Sequence, residues 1–123
     1  MKYFQRPTEK FYILPNNIFD LRLEPIQFAI YSYLISCSGS KGYCWPSQAK
    51  ICDKTSIGLS SVQKHLKILE QRQLIEIRKS GQGGKHKSDD YYPLSLDNPE
   101  IYRDIKEPKI EELPLFIREN LPA

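Results

Sequence analysis

The stretch Trp45–Ile75, WPSQAKICDKTSIGLSSVQKHLKILEQRQLI, decides the fold of this chain. Ser47 suits the N-cap of a short helix, because its hydroxyl can accept a hydrogen bond from a free backbone N–H of the first turn. After a polar connection, we expect Gly58 to adopt a backbone conformation that a side chain would resist. Apolar side chains then recur at spacings of three and four residues, which predicts a longer amphipathic helix. They are Leu59, Val62, Leu66 and Leu69.

The opposite face of the longer helix is polar. Its side chains can donate and accept hydrogen bonds, which suits base edges in a major groove, and its lysines suit phosphates or guanine. A solvated surface is the alternative interpretation, because polar outer faces are the default for amphipathic helices. The residues concerned are Ser60, Ser61, Gln63, Lys64 and Lys67.

A β-hairpin is predicted directly after the longer helix. Residues 74–79 begin apolar and become basic, with Ile75 and Ile77 on one side of a strand by period-two alternation, and residues 91–94 supply the returning strand. Between them, residues 80–87 contain three glycines and predict a mobile turn with a basic tip. The basic side chains of this tip are Lys85, His86 and Lys87. Residues 43–45 are short enough to add a further small strand, with Trp45 as a core anchor.

The residues before the quoted stretch predict one more helix and a cap for the core. Pro25 fits the first turn of this helix, where its missing N–H costs no hydrogen bond. Its apolar stripe indicates burial, and we interpret its aromatic residues as core rather than as a partner-binding surface. Upstream, residues 11–14 are a β-prone run and residues 18–21 suit a short helical turn. The stripe comprises Ile26, Ala29, Ile30, Tyr33 and Leu34, and the aromatic residues are Phe28, Tyr31 and Tyr33.

Residues 11–94 resemble the winged helix-turn-helix domains of bacteria, and most of all the N-terminal modules of plasmid and phage replication initiators and replisome organisers. The resemblance implies a mainly α fold with a small antiparallel sheet, in which a three-helix core carries a β-hairpin wing. Ser56 and Gln73 stand where such domains usually have glycine, so the turn and the end of the longer helix can differ in detail. The matching residues are Trp45-Pro46-Ser47-Gln48, Ser61-Val62, Leu66, Leu69 and Leu74-Ile75.

Charge is unevenly distributed along the chain. Residues 41–88 hold ten basic and three acidic side chains, for a net charge of +7, whereas residues 1–40 carry +1 and residues 89–123 carry −5. A basic segment is attracted to a polyanion, and each phosphate contact also releases counterions. Because the basic excess coincides with the predicted helix-turn-helix and wing, we expect double-stranded DNA to be the partner.

The winged-helix geometry assigns roles to the candidate residues. The longer helix would enter the major groove and present Ser60, Ser61, Gln63 and Lys64 to base edges, with Lys67 at the groove margin. Ser47 and Gln48 at the start of the shorter helix would hold a phosphate. Lys85, His86 and Lys87 of the wing would cover an adjacent phosphate or the minor groove. Two interpretations of His65 stay open, a phosphate contact or packing at the helix flank.

Several function classes are disfavoured by the sequence. It has no GxxxxGK[ST] phosphate loop and no catalytic constellation, so we expect no enzymatic activity. The spacing of Cys37, Cys44 and Cys52 includes no CxxC pair, so we expect neither a metal site nor a cofactor. No apolar run reaches the ~18 residues of a membrane span, and the N-terminus lacks the apolar core of a signal peptide. We therefore expect a cytoplasmic protein without a membrane partner.

Three segments are predicted: a flexible arm (residues 1–10), the winged helix-turn-helix domain (residues 11–94), and an acidic, proline-containing tail (residues 95–123). The tail suits short helices at about 97–106 and 109–119. It could contact replication or transcription proteins, and the chain could form a homodimer. Three functions stay open: a replication initiator or replisome organiser of a mobile element, a transcriptional regulator, or a winged helix used for protein contacts.

Overall fold

Three helices and a hairpin form in the predicted order in this computed structural model, which describes residues 2–81, 86–103 and 114–120. The helices and strands are α1 (Pro25–Ser38), α2 (Gln48–Thr55), α3 (Leu59–Gln71), β1 (Ile75–Arg78), β2 (Asp90–Pro93) and α4 (Leu115–Glu119). Short 3₁₀ helices span Asn16–Leu21, Gly39–Lys41 and Pro99–Tyr102. The predicted fold class, a winged helix-turn-helix with a three-helix core and a hairpin wing, is confirmed.

The connection between α2 and α3 depends on Ser56 rather than on a glycine. Ser47 caps α2, since its Oγ accepts a hydrogen bond from the backbone N of Lys50 at 3.1 Å. Ser56 ends the helix with φ 59° and ψ 35°, a left-handed conformation that costs free energy for an L-residue. Gly58 has φ −67° and ψ 156°, which any residue adopts. The expectation that Gly58 supplies the special backbone angle is therefore wrong.

Helix α1 begins at Pro25, as predicted, and it is held by an arginine that follows α3. Arg72 donates from Nη1 to Oε1 of Gln27 at 3.2 Å and from Nη2 to the carbonyl of Leu21 at 2.8 Å. Burial lowers the pKa of this guanidinium, while nearby Glu24 acts in the opposite direction. Arg72 thereby fastens the end of α3 to α1 and to the 3₁₀ helix before it.

The hydrophobic core lies between the three helices and the inner face of the hairpin. Tyr31 is fully buried in it, and Phe28 and Tyr33 pack against it, so the interpretation of the α1 aromatics as core is confirmed. Leu59 departs from its predicted stripe, because it is 51% exposed at the start of α3. The buried side chains from the helices and hairpin include Ile30, Leu34, Ile51, Val62, Leu66, Leu69, Leu74, Ile75 and Tyr91.

The wing sheet pairs β1 with β2 in antiparallel register, from Ile75 opposite Pro93 to Arg78 opposite Asp90. Cys44 adds the predicted further strand as a single bridge, exchanging two backbone hydrogen bonds with Tyr91 at 3.0 and 2.8 Å. Successive side chains of a strand point to opposite faces, so the buried side chain of Cys44 places its neighbour Trp45 on the other face. The prediction of Trp45 as a core anchor is wrong, since its ring is only half-buried.

The segments flanking the domain differ in how they pack. Residues 2–10 are exposed, and residues 11–14 form no strand, contrary to the β-prone run. The predicted turn at residues 18–21 is confirmed as a 3₁₀ helix. After the hairpin, Leu96 and Ile101 are buried, so packing against the core continues beyond residue 94. The described part of the tail contains the 3₁₀ helix Pro99–Tyr102 and α4, whereas Asp97 and Asn98 are not helical, contrary to the predicted helix at 97–106. Residues 104–113 of the two predicted tail helices lie outside the described residues.

Candidate nucleic-acid interface

One exposed face of α3 carries most of the predicted base-contacting side chains. Ser60, Gln63, Lys64 and Lys67 recur at three and four residues and are all exposed, so they share a helical face. Ser61 lies at the flank of this face and is half-buried. Among the described residues, neither lysine on this face forms an ion pair. Both charges are therefore available to an anionic partner.

A groove separates this face of α3 from the hairpin. It encloses about 280 Å³, with an apolar floor and lysines on both banks. Lys67 comes from α3 and Lys79 from the wing, where Lys79 Nζ lies 3.3 Å from Asp89 Oδ2. The groove is lined by Gln48, Gln63, Leu66, Lys67, Ile77, Lys79, Asp89 and Tyr91. A polyanionic strand that crosses the groove would thus meet the charge of Lys67 on one side and the Lys79–Asp89 ion pair on the other.

A second recess of about 280 Å³ brings the start of α2 close to the end of the wing loop. Ser47, Gln48 and Lys87 all line it. The first helical turn has free backbone N–H groups that favour anions, although the Ser47 hydroxyl already accepts the bond from Lys50. The structure therefore brings three of the predicted phosphate-contacting residues together.

Gln48 also connects α3 to the hairpin. Nε2 of Gln63 donates to Oε1 of Gln48 at 3.0 Å. Burial raises the pKa of the Tyr91 phenol to about 12, and a hydrogen bond from Gln48 acts in the opposite direction. Gln48 and Tyr91 line the same two recesses, and because Oε1 of Gln48 is occupied by Gln63, its amide nitrogen is the end left to donate to the phenol oxygen. Three side chains from β2, α2 and α3 are joined in this way.

Residues 21–75 match the family model of a helix-turn-helix domain. The matched segment contains α1, α2 and α3 and ends at the first residue of β1. No curated protein and no solved structure shows significant similarity to the chain. The helix-turn-helix domain supports DNA binding, and α3 is the second helix of the motif, the one that such domains insert into the major groove.

The basic tip predicted for the wing is only partly described. Lys85 lies outside the described residues, and Lys87 is exposed. His86 is held at the base of the loop, with Nδ1 located 2.9 Å from Oδ1 of the buried Asp90 and its ring stacked on Trp45. Contact of these three side chains with DNA stays a prediction.

His65 lies on the inner side of the helix-turn-helix domain. It is 5% exposed, and its Nδ1 is buried without a hydrogen-bond partner among the described residues. Of the two interpretations left open by the sequence, packing at the helix flank is confirmed.

Two residues that border the interface of the helix-turn-helix domain are missing from the predicted set. Lys79 lines the groove, and its signal in the sequence is a basic residue directly after the strand pattern. Leu59 is exposed at the start of α3, where an apolar side chain can contact a thymine methyl group. Its position in the apolar stripe of α3 predicts burial, so the sequence pattern did not indicate a surface role for Leu59.

Within the described part of the chain, no helix has the length and apolar composition that crossing a membrane requires. Nor do three histidine, cysteine, aspartate or glutamate side chains converge there in a way that would hold a metal ion.

Proposed function

We propose that this protein binds double-stranded DNA sequence-selectively, as a replication initiator or replisome organiser of a mobile element. One observation carries the proposal: the exposed polar face of α3, with Lys64 and Lys67, borders a groove that the wing closes from the other side with Lys79. In this arrangement α3 enters the major groove, where short polar side chains meet base edges. The basic banks of the groove follow the phosphate backbone.

The electrostatic part of the proposal rests on where the charge lies. Residues 41–88, which carry a net charge of +7, include α2, α3 and β1. Association with DNA is then driven in part by counterion release, so affinity falls as salt rises. Ser60 and Gln63 are uncharged, and their hydrogen bonds to bases supply the selectivity.

We also propose that the protein acts by binding and not by catalysis. Histidine is the side chain most often used in general acid–base catalysis, but both histidines of this chain are engaged within the fold. His65 is buried among core residues, and His86 is engaged by Asp90 and Trp45.

The replication role rests on the resemblance to initiator modules and on the acidic tail. Leu115 and Phe116 of α4 are 60% and 75% exposed, which suits an arm that contacts replication proteins. A transcriptional regulator would use the same DNA-binding surface. A selection from random duplexes separates the two roles: repeated sites at an origin support the initiator, and sites at promoters support the regulator.

The DNA-binding proposal is tested with a mobility-shift assay on the selected duplex. Exchanging Lys64 and Lys67 together for alanine should lower affinity by roughly tenfold or more and leave the fold intact. The matched control exchanges Lys2 and Lys10, two exposed lysines of the N-terminal segment, and removes the same charge. Equal losses for the two double variants would indicate non-specific attraction and would remove α3 from the interface.

A further inference from the structure

We propose that Gln63 reads an adenine in the major groove, and that Gln48 and Tyr91 position it for this task. The inference rests on the proposed function, because it assumes that α3 lies in the groove of duplex DNA. It adds the identity of one base and a mechanism that couples the wing to the reading side chain.

Tyr91, Gln48 and Gln63 form a relay of neighbouring side chains, and this relay begins at a rigid residue. Tyr91 is fully buried on β2 and is fixed by two backbone hydrogen bonds to Cys44. Gln48, in the first turn of α2, lies beside this tyrosine, and the two side chains line the same two recesses. Because the amide oxygen of Gln48 accepts a hydrogen bond from α3, its amide nitrogen is the end left to donate to the phenol oxygen of Tyr91.

The oxygen of Gln48 in turn sets the orientation of Gln63. It accepts from Nε2 of Gln63 at 3.0 Å, so the nitrogen end of the Gln63 amide faces α2. A free glutamine side chain has many rotamers and can turn its amide over, and ordering it on binding costs entropy. The hydrogen bond to Gln48 favours one rotamer and one amide orientation before DNA arrives.

The hydrogen-bonding groups that Gln63 has left match one base. Its amide retains one N–H and the carbonyl oxygen. Adenine offers an acceptor at N7 and a donor at N6 in the major groove, so it can pair with both groups. Guanine offers two acceptors there, and one of them would face the carbonyl oxygen. The relay therefore favours adenine and disfavours guanine.

Gln48 has a different role in this arrangement from the phosphate contact that the sequence predicts. Its carbonyl oxygen accepts from Gln63, which leaves its amide nitrogen for Tyr91 beside it. Gln48 is consequently a positioning residue. Lys87 and the N–H groups of the first turn of α2 are left to contact the phosphate in the same recess.

The experiment is a selection from random duplexes with the wild-type protein, followed by affinity measurements in which each selected base pair is replaced in turn. The wild-type protein should prefer adenine at one position per bound domain by roughly tenfold or more. Gln63→Ala should lose this preference and keep the preferences at other positions. Gln48→Ala and Tyr91→Phe should weaken the preference at the same position, although neither side chain touches the base.

Tyr92→Phe is the matched control for Tyr91→Phe. It removes a phenol from the neighbouring residue of β2, where the hydroxyl contacts Arg78 on the outer face of the sheet. This variant should keep the adenine preference, and thermal unfolding should show that Tyr91→Phe still folds. An unchanged preference in Gln48→Ala and Tyr91→Phe would overturn the relay. A preferred base other than adenine at the position lost in Gln63→Ala would overturn the reading role.

Failure of the proposed function gives a different result. If the wild-type protein enriches no sequence and binds duplex DNA independently of salt, DNA binding itself is wrong and the inference falls with it. If it binds selectively and the Gln63 variant keeps every preference, only the inference is overturned.

Discussion

The ring of His86 lies flat on the ring of Trp45, with centroids 3.8 Å apart and planes inclined by 2°. Trp45 directly precedes the Pro46–Ser47 entry to α2, and His86 lies at the base of the wing loop. On its other side, His86 contacts the buried carboxylate of Asp90. The pair therefore attaches the wing loop to the start of α2.

Loss of this stack should destabilise the protein. His86→Ala removes both the ring contact and the contact with Asp90, so we expect the free energy of unfolding to fall by about 1–3 kcal/mol. Lys87→Ala, at the exposed neighbouring residue, should change it by less than about 0.5 kcal/mol. Urea unfolding, followed by the fluorescence of the single tryptophan, measures both variants. Equal effects of the two substitutions would show that the stack contributes nothing.

The turn between α2 and α3 predicts opposite behaviour for two small residues. Ser56→Gly should raise the free energy of unfolding by up to about 1 kcal/mol, because glycine adopts the left-handed conformation without the penalty of a side chain. Gly58→Ser should be tolerated, since Gly58 has an ordinary backbone angle and no atom within 4 Å of its added Cβ. A serine at this N-cap can even bond the first turn of α3. A large loss of stability in Gly58→Ser, measured by thermal unfolding, contradicts this description of the turn.

His65 offers a test that separates packing from DNA contact. Because its buried Nδ1 has no hydrogen-bond partner among the described residues, His65→Leu should leave stability within about 1 kcal/mol or increase it. Leu69→Ala, in the same core, should cost about 2–5 kcal/mol. DNA affinity of a folded His65→Leu variant should equal that of the wild type. A clear drop in its affinity at unchanged stability would favour the phosphate contact instead.

Stability should fall at alkaline pH. Burial raises the pKa of the Cys44 thiol from 9.0 to about 11 and that of Tyr31 from 10.0 to about 12. The folded state therefore keeps protons that the unfolded state releases, and stability is full below about pH 9 and is lost as pH rises toward 11 and 12. Cys44→Ala should reduce this loss between pH 9 and 11, whereas Cys52→Ala, which removes a half-buried thiol of α2, should not. Urea unfolding at several pH values gives the slopes, and equal slopes for both variants would refute the assignment.

Periodicity predicts the parts of this fold that depend on local sequence. Spacings of three and four residues located α1 and α3, and the alternation after Leu74 located the hairpin, because each pattern has to bury one face. The cap at Ser47 was predictable for the same reason, as its hydroxyl serves residues of the first turn. On α3, the same periodicity placed four of the five candidate polar residues on one exposed face.

Contacts between distant segments were not predictable. Gln48 and Gln63 are 15 residues apart, and nothing in either helical pattern indicates that their amides meet. The usual burial of large aromatic rings predicts that Trp45 lies in the core. The bridge between Cys44 and Tyr91 turns the side chain of Cys44 inward, so the neighbouring Trp45 points to the other face of the sheet. The residue type alone predicts the left-handed backbone conformation at Gly58, whereas in the structure Ser56 adopts it, with φ 59°.

The salt dependence of duplex binding tests the central claim most directly. We expect the affinity of the wild-type protein to fall steadily between about 50 and 200 mM salt on a logarithmic plot. The Lys64→Ala/Lys67→Ala variant should show a slope shallower by roughly two units, since each phosphate contact contributes about 0.9. Affinity that does not change with salt, or identical slopes for the two proteins, would contradict a DNA-binding surface centred on α3.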